Sequence, residues 1–502
     1  MAKSGNKCGI CERKARRLCP ILEKMICSSC CGSKRGTEIS CSRECEYYPF
    51  SIKGYDLWLK IDEILAQKIM SYVIPHYGRE KFEKVLESMI YQDEPTEHTK
   101  ETAAGAAIYY LLFVKKDHRN QTLALQWKNQ GWQGLTNDER MMLNCRIDNS
   151  YATIIEIQKI LDYQAMECID LLDPKQEKFI LFDRSIVKSI SRFTQLITWI
   201  NHYPHFSRMA NNAIEVPDMI CTEFMNTLRE AFKKDSLKRR QLTIKQYLSE
   251  NFGSFCRLNF ELTREKTKAM VGRMDIHQCK AMYTLKGKVE EVKAVLDKYP
   301  EFSVRDRNPE EKDSPGACYY QWLRRGESKK LEAKMLPAFR HKDENLWVGT
   351  VGNIILYPDN LIIETFSKQK YVFAKKMIKK YFKELVVLKN EAVIDMAKQH
   401  AETIGKRKRE SATEKSNSIP PEIERKLMRD FYKNRYEKFL DEDIPALDGM
   451  TPRQAAKKPA MKIQLINLMK LHIKGIEKQN RDKNLGLNID WLLNALGLTE
   501  LI

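Results

Sequence analysis

The spacing of apolar residues predicts a helical domain near the start of the chain. Apolar positions in residues 57–90 recur with the period of an α-helix, and residues 102–116 and 137–143 continue the pattern. Between them, residues 126–135 contain two tryptophans and two glycines, which is typical of a loop. We therefore expect a helical domain with an internal loop over residues 51–144.

After residue 144 the pattern changes to short runs rich in β-branched and aromatic residues. Four such runs occupy residues 152–157, 165–171, 178–182 and 196–200. Turn-forming residues such as the Asp173-Pro174 pair separate them. These runs predict a small β unit over residues 145–216, which we expect to close partly into a barrel.

A larger unit over residues 217–404 mixes helical and extended segments. It begins with helical patterns at residues 217–252 and 264–270. The order that follows is strand 280–285, helix 289–298, strands 302–304, 317–323, 346–356 and 361–365, helix 368–382 and strand 385–388. That order resembles a ferredoxin-like α+β unit, in which helices cover one face of a sheet.

A polar stretch separates this unit from the tail. Residues 405–421 combine a basic run with Ser, Thr, Asn and two prolines, so we expect a solvated linker. The basic run at residues 406–409 is interpreted as a charged tether, with a nuclear signal or a phosphate contact as alternatives. Residues 422–502 then predict a C-terminal helical domain, and the fold class is multidomain α+β.

The net charge makes a polyanion the first partner to consider. The 502 residues include 86 Lys and Arg against 67 Asp and Glu, a formal net charge of +19. No apolar stretch of signal-peptide length follows the N-terminus, and the longest apolar run, residues 103–114, is shorter than the roughly 20 residues that span a bilayer. We expect a cytoplasmic protein without a membrane span, in a reducing compartment that favours metal binding over disulfides.

The cysteines are concentrated at the N-terminus. Eight of the fourteen fall in the first 45 residues, namely Cys8, Cys11, Cys19, Cys27, Cys30, Cys31, Cys41 and Cys45. A Cys-x-x-Cys pair places two thiolates on one tight turn, so residues 1–50 predict a zinc finger module with two structural Zn²⁺ ions. Thiolate-only sites also suit iron and iron–sulfur clusters, but we favour zinc.

Two partitions of these thiols are open. In the interleaved one, the first ion is bound by Cys8, Cys11, Cys27 and Cys30, and the second by Cys19, Cys31, Cys41 and Cys45. In the sequential one, the first site consists of Cys8, Cys11, Cys19 and Cys27. We favour the interleaved partition because it places both Cys-x-x-Cys pairs on one ion. A closed four-cysteine site leaves no position for substrate, so the metal is expected to build structure and not to catalyse.

The spacing of these ligands resembles cross-braced fingers of the B-box, MYND and HIT kinds, although no histidine precedes His76. Motifs for catalysis are lacking, since the chain has no Walker-type phosphate loop, no His-Glu-x-x-His helix and no Gly-x-Ser-x-Gly turn. His202 and His205 could form a metal or acid–base site with Asp183 or Glu215, but a loop at a strand end explains this histidine pair more simply.

Basic residues near aromatic ones are the candidates for nucleic-acid contacts. We assign this role to Arg13, Arg16, Arg17, Lys34, Arg35, Lys238, Arg239 and Arg240. The basic residues of the finger could instead donate N–H groups to the thiolates. The lysines of residues 368–383 are similarly either a solvated helix face or a phosphate track.

The tail contains the sequence Ile-Pro-Ala-Leu-Asp-Gly-Met-Thr-Pro-Arg-Gln-Ala-Ala at residues 444–456. Here we expect a turn followed by a helix with Thr451 as its N-cap and Pro452 at its first position. The stretch resembles the toxin-binding domain of Xre/MbcA/ParS antitoxins, but it has Asp448 where glycine is usual and Gln454 where glutamate is common. That resemblance implies a small helical domain that binds a protein partner through Pro445, Leu447, Gly449, Thr451 and Pro452.

The whole arrangement also resembles uncharacterised bacterial multidomain proteins that join such a cysteine finger to such a tail. Cys19-Pro20, the run from Cys31 to Arg35 and the Cys41–Cys45 spacing carry this second resemblance. From the sequence we expect a zinc-binding, non-catalytic protein that binds RNA or DNA through basic surfaces. The alternatives are an adaptor that binds proteins and, third, an enzyme with an unrecognised site in the central β units.

Overall fold

The computed structural model describes residues 7–210, 213–272, 277–307, 315–325, 348–396 and 421–502. The chain divides into two units, Met1–Thr263 with Met469–Ile489 and Arg264–Leu468 with Asp490–Ile502. Helices and strands occur in both, which confirms the multidomain α+β class. No helix of the described ranges has both the length and the apolar character needed to cross a membrane. The basic run predicted at residues 406–409 lies outside the described residues.

The first unit begins with a small hairpin and a short helix, followed by a group of longer helices. Its elements up to residue 149 are β1 (Arg17–Cys19), β2 (Lys24–Ile26), α1 (Ser28–Lys34), α2 (Tyr55–Tyr77), α3 (Arg79–Met89), α4 (Glu97–Tyr109) with a π-helical turn (Tyr110–Val114), α5 (Leu123–Asn129) and α6 (Asn137–Asn149). Trp58, Leu65 and Leu112 are fully buried where these helices meet. The same core includes Phe182 and Phe206, so the helices share their apolar core with the β unit that follows.

The loop predicted at residues 126–135 is wrong in its first part, because α5 extends through residue 129. The hydroxyl of Thr122 caps α5 by accepting a hydrogen bond from the Leu125 amide. The Trp127 ring is buried and stacks on Tyr72 with the ring centroids 4.0 Å apart. Tertiary packing of a large aromatic side chain outweighs the turn signal of the nearby glycines.

A β-barrel follows the helices. Its strands are β3 (Ser150–Ile160), β4 (Ala165–Asp170), β5 (Lys178–Phe182), β6 (Gln195–His202) and β7 (Ser207–Met209), and β8 (Ile214–Val216) adds to β6. The order β3-β4-β5-β7-β6 closes on itself through a β3–β6 pairing, and all contacts are antiparallel except β5–β7. Alternating residues such as Ile155, Leu181 and Ile200 fill the interior. The predicted small β unit is thus a five-stranded barrel.

Three helices pack on one side of this barrel. They are α7 (Asp218–Ser236), α8 (Ile244–Glu250) and α9 (Phe252–Gly272). Trp199 and Ile154, which lie on β6 and β3, are fully buried in a cluster with Phe224 of α7. The outer faces of β3 and β6 are consequently covered, whereas β4 and β5 lie away from this cluster.

The second unit contains an antiparallel sheet with two helices on one face. Its elements are β9 (His277–Leu285), α10 (Val289–Lys298), β10 (Phe302–Val304), β11 (Cys318–Arg325), β12 (Val348–Leu356), β13 (Asn360–Thr365), α11 (Lys368–Phe382) and β14 (Val386–Asp395). The order β10-β11-β12-β13-β9-β14 has six strands, and the helices pack on it through Leu296, Ile378 and Phe382. The helices lie on one face of the sheet, as the sequence predicted, and the assignment of this unit to the ferredoxin-like type stays a prediction.

The tail is helical, as predicted. It comprises α12 (Pro421–Phe439), a 3₁₀ turn (Pro445–Leu447), α13 (Pro452–Ala456), α14 (Lys462–Lys483) and α15 (Asp490–Ala495). Residues of α14 that belong to the first unit form ion pairs with the barrel. Lys470 contacts Glu156 at 2.5 Å, and Glu477 pairs with Arg192.

Candidate metal centre

The first Cys-x-x-Cys pair lies on a turn that backbone hydrogen bonds hold closed. The Cys8 amide donates to the Arg13 carbonyl at 2.7 Å, and the Glu12 amide donates to the Cys8 carbonyl at 2.9 Å. The Gly9 amide donates to the Met25 carbonyl at 2.8 Å and so joins this turn to β2. These bonds position the Cys8 and Cys11 side chains beside the β1–β2 hairpin.

The second pair begins helix α1. Cys27 is the N-cap residue, and its sulfur accepts a hydrogen bond from the Cys30 amide at 3.3 Å. One helical turn places the Cys27 and Cys30 thiols on the same side, as a chelating pair requires. Local backbone geometry thus positions the two thiols of each Cys-x-x-Cys pair without contacts from the other pair.

Folding brings the two pairs together into one four-thiol cluster. The sulfur atoms of Cys8, Cys11, Cys27 and Cys30 all lie within 4.8 Å of one another, and those of Cys11 and Cys27 are 3.6 Å apart. A tetrahedral zinc site with Zn–S bonds of about 2.3 Å would hold its sulfurs about 3.8 Å apart. The donor set and its spacing therefore fit one Zn²⁺ ion. This grouping is the first site of the interleaved partition.

The electrostatics of the cluster are those of thiols crowded together. Burial opposes ionisation of Cys8, but hydrogen bonds from backbone groups of Cys27 and Cys11 outweigh it and lower the Cys8 pKa to about 6. Contact with the Cys11 thiol, together with burial, raises the Cys30 pKa to about 12. Four thiols this close cannot all ionise unless a cation lies between them, and a soft divalent ion satisfies that requirement.

The other four cysteines of the finger lie around its small core. Cys19 and Cys31 are buried, whereas Cys41 and Cys45 are partly exposed. Burial raises the pKa of Cys41, and negative charge on Cys45, Cys31 and Cys19 would raise it further. In the described part of the chain, Cys8, Cys11, Cys27 and Cys30 are the group of His, Cys, Asp or Glu side chains close enough to hold a metal ion.

The predicted contact residue Arg35 is engaged inside the protein. It is buried, and its guanidinium makes a two-pronged ion pair with Asp138 of α6, with 2.8 Å from Nε to Oδ1. It also donates to the Tyr47 carbonyl. The nearby Asn137 side chain donates to the Gly32 carbonyl at 2.9 Å. Arg35 therefore anchors the finger on the helical domain, and its nucleic-acid contact stays a prediction that these bonds do not favour.

The other predicted basic residues lie at or near the surface. Arg13 and Arg16 are exposed, and the Arg17 guanidinium lies 4.1 Å from the centre of the Tyr47 ring. Lys34, the last residue of α1, pairs with Glu38 in the turn that follows. Lys238, Arg239 and Arg240 follow α7 and are exposed, and Arg239 makes a two-pronged ion pair with Glu250.

The histidine pair is not a metal or acid–base site with its proposed partners. His202 hydrogen-bonds to Tyr151 and Ser207, whereas the His205 ring packs against Tyr48. Asp183 pairs with Arg208, and Glu215 pairs with Lys474. His202 ends β6 and His205 lies in the turn to β7, so the simpler interpretation as a loop at a strand end is confirmed.

The C-terminal turn has the predicted local geometry. Thr451 caps α13 by accepting a hydrogen bond from the Gln454 amide at 3.2 Å, and the Gln454 side chain accepts one from the Thr451 amide. Pro452 is the first helical residue, and Leu447 is buried. Asp448 adopts the left-handed conformation (φ 53°), where glycine is favoured and aspartate is tolerated.

No family model, curated protein or solved structure matches this chain. The metal centre is supported by its own geometry. Sequence reasoning found its ligands through their spacing, but it missed Asn137 and Asp138, which hold the finger in place. No local pattern signals these two residues, because they lie about a hundred positions away from their partners.

Proposed function

We propose that this protein is a non-catalytic nucleic-acid-binding protein whose finger is stabilised by two structural Zn²⁺ ions. The observation that carries the proposal is the topology of the five-stranded barrel. Numbered within the barrel, its strands run 1-2-3-5-4 and close back to strand 1, and strands 3 and 5 are parallel. OB-fold barrels have this arrangement, and they bind oligonucleotides on the side of their second and third strands.

Topology alone does not assign a function, so the support must come from the surface. The second and third strands of this barrel, β4 and β5, are the ones that α7, α8 and α9 leave uncovered. On them Ile180 is 40% exposed, and the loop between β3 and β4 presents Leu161 at 45% and Tyr163 at 67% exposure. Exposed apolar and aromatic side chains on a barrel are suited to stack against unpaired bases.

Positive charge accompanies these side chains. The Arg184 guanidinium lies 5.8 Å from the centre of the Tyr163 ring, and Lys159 and Lys178 are exposed on the neighbouring strands. Lys178 also pairs with Glu167 at 2.7 Å, which keeps it over the open face. A stacking residue beside cations is the combination that single-stranded nucleic acid requires.

The second zinc ion is proposed for Cys19, Cys31, Cys41 and Cys45. Cys19 and Cys31 are buried in the core of the finger, and Cys41 packs against that core. A second ion here would cross-brace the finger, because its ligands alternate in sequence with those of the first. Both sites would be closed, so the metal would be structural.

Electrophoretic shifts with single-stranded RNA and DNA across a salt series test the proposed function. We expect binding that weakens steeply as salt rises, and a Tyr163→Ala variant that binds about tenfold more weakly through loss of one stacked base. Phe366→Ala is the matched control, because Phe366 is also aromatic and 62% exposed but lies in the second unit. Absence of any shift with zinc-loaded protein at low salt would exclude the proposal.

A protein-binding adaptor is the second candidate, favoured by the preformed turn at residues 445–449. Arg453 pairs with Asp441 at 3.1 Å beside this turn, and Thr451 caps the helix that follows. Such a rigid turn would present Pro445 and Gly449, which are exposed, to a partner at little entropic cost, whereas Pro452 is buried. A protein that gives no nucleic-acid shift but is captured by one partner through residues 445–452 would favour this candidate.

A further inference from the structure

We propose that a cleft in the first unit, separate from the open face of the barrel, binds a nucleoside phosphate. The cleft has a volume of about 800 Å³ and lies between the end of α6, the start of β3 and the segment that joins α7 to α8. This volume is within the range of small-molecule sites, which are about 300–1,000 Å³. The proposal does not depend on the proposed function, because none of the residues that line the cleft belongs to β4 or β5.

One side of the cleft is apolar. Phe113 and Val114 come from the π-helical turn, Ile147 from α6 and Leu242 from the segment before α8. Leu242 is buried, and the centre of the Phe113 ring lies 5.2 Å from the centre of the Tyr109 ring. A wall of this kind suits a planar, weakly polar group such as a nucleobase.

The floor of the cleft is a polar network centred on Lys245. Lys245 contacts Asp170 at 2.8 Å, Asp173 at 3.3 Å and the Tyr151 hydroxyl at 3.3 Å, which uses its three N–H donors. The Tyr151 hydroxyl is also 2.8 Å from Nε2 of His202. Lys245 and Tyr151 therefore shape the floor and hold it rigid, but Lys245 has no donor left for a ligand.

The donors that remain lie on the rim and beside the floor. Arg239 is committed to Glu250, whereas Lys116 and Arg240 have no ion-pair partner in the described part of the chain. Among the residues that line the cleft, Asp148 is the one carboxylate left to oppose them. The Ser150 hydroxyl is buried without a hydrogen-bond partner. Two uncommitted cations in a cleft that also has an apolar wall match a phosphate attached to a base.

Binding of adenosine monophosphate, measured by calorimetry on the zinc-loaded full chain, tests the site. Arg240→Ala should weaken binding about tenfold or more, since hydrogen bonds to charged groups are strong. Lys234→Ala is the matched control, because Lys234 is an exposed cation of α7 that does not line the cleft, and it should change affinity less than twofold. Unchanged thermal unfolding of both variants would show that neither is misfolded.

Further probes separate the chemistry of the ligand and its source. Adenosine and inorganic phosphate should each bind more weakly than the monophosphate, because each lacks one half of the ligand. Competition by a 5′-phosphorylated oligonucleotide that fails with its 5′-hydroxyl form would identify a nucleic-acid end as the source, and binding of the mononucleotide alone would identify a free nucleotide. The proposal is overturned if the monophosphate does not bind at millimolar concentration, or if Arg240→Ala and Lys234→Ala behave alike. Tyr163→Ala should leave this binding intact, so the two proposals can fail separately.

Discussion

The finger and the barrel are both small units, but different interactions build their interiors. Five of the eight buried apolar residues in the core of the finger are cysteines, and none is aromatic. The interior of the barrel contains Ile155, Ile157, Leu181 and Ile200 with a single cysteine, Cys168. Each buried aliphatic side chain contributes about 1.5–3 kcal/mol, whereas a structural zinc ion contributes about 10 kcal/mol or more. We therefore expect the finger to depend on metal and the barrel to depend on packing.

The largest effect that tests this comparison is removal of a metal ligand. A Cys27→Ser variant should lose the first zinc ion and unfold residues 7–50, while the barrel stays folded. Elemental analysis and hydrogen exchange of the two regions would measure this. Cys221→Ser is the matched control, because this half-buried thiol belongs to α7 and donates to Gln195 at 2.6 Å, a bond that serine can replace. Full zinc content in Cys27→Ser would refute the assigned cluster.

A cavity in the barrel should have the converse effect. Leu181→Ala removes a fully buried side chain, so the free energy of unfolding of the barrel should fall by about 2–5 kcal/mol with zinc content unchanged. Ile180→Ala, one residue earlier and 40% exposed, should cost about 0.5 kcal/mol or less. Loss of zinc from Leu181→Ala would show that the two regions do not fold independently.

The anchor between the finger and the helical domain should give an intermediate effect. Arg35→Ala leaves Asp138 without its partner and should cost about 1.5–3 kcal/mol, measured as faster hydrogen exchange in the finger. Arg35→Lys keeps the charge but not the two-pronged geometry, and should recover only part of the loss. If instead Arg35→Ala weakened nucleic-acid binding without destabilising the finger, the original contact assignment would be correct.

The smallest expected effect is on the pH dependence of the stability of the barrel. Burial and the nearby Lys245 charge lower the pKa of His202, whereas in the unfolded chain it should be about 6.5. As pH falls, the unfolded state therefore binds a proton on His202 before the folded state does. The stability that neutral His202 contributes is complete above pH 6.5 and is lost as pH falls through the lowered pKa of the folded state. Urea unfolding followed at the barrel should show a weaker loss between pH 7.5 and 5 in His202→Gln than in the unmodified protein. An equal loss in both would contradict this role of His202.

Local pattern predicted much of the secondary structure. The helices Val289–Lys298 and Lys368–Phe382 and the strand Phe302–Val304 have the expected bounds, because each presents a periodic apolar face. The Thr451 cap was also predictable, since it needs only residues three positions apart. The loop at residues 126–135 failed for the opposite reason, since the helical state of Trp127 depends on Tyr72, which lies 55 positions away in the chain.

The candidate metal ligands show the same division between local and distant information. By itself the sequence determined that Cys8 with Cys11 and Cys27 with Cys30 form two chelating turns, because residues three apart share one turn of backbone. Only the tertiary structure decided between the two thiol partitions by bringing these turns together. It also decided that Arg35 faces Asp138 and that five strands close into a barrel whose β4 and β5 lie away from α7, α8 and α9. Such contacts depend on which surfaces pack together, and short-range spacing does not record them.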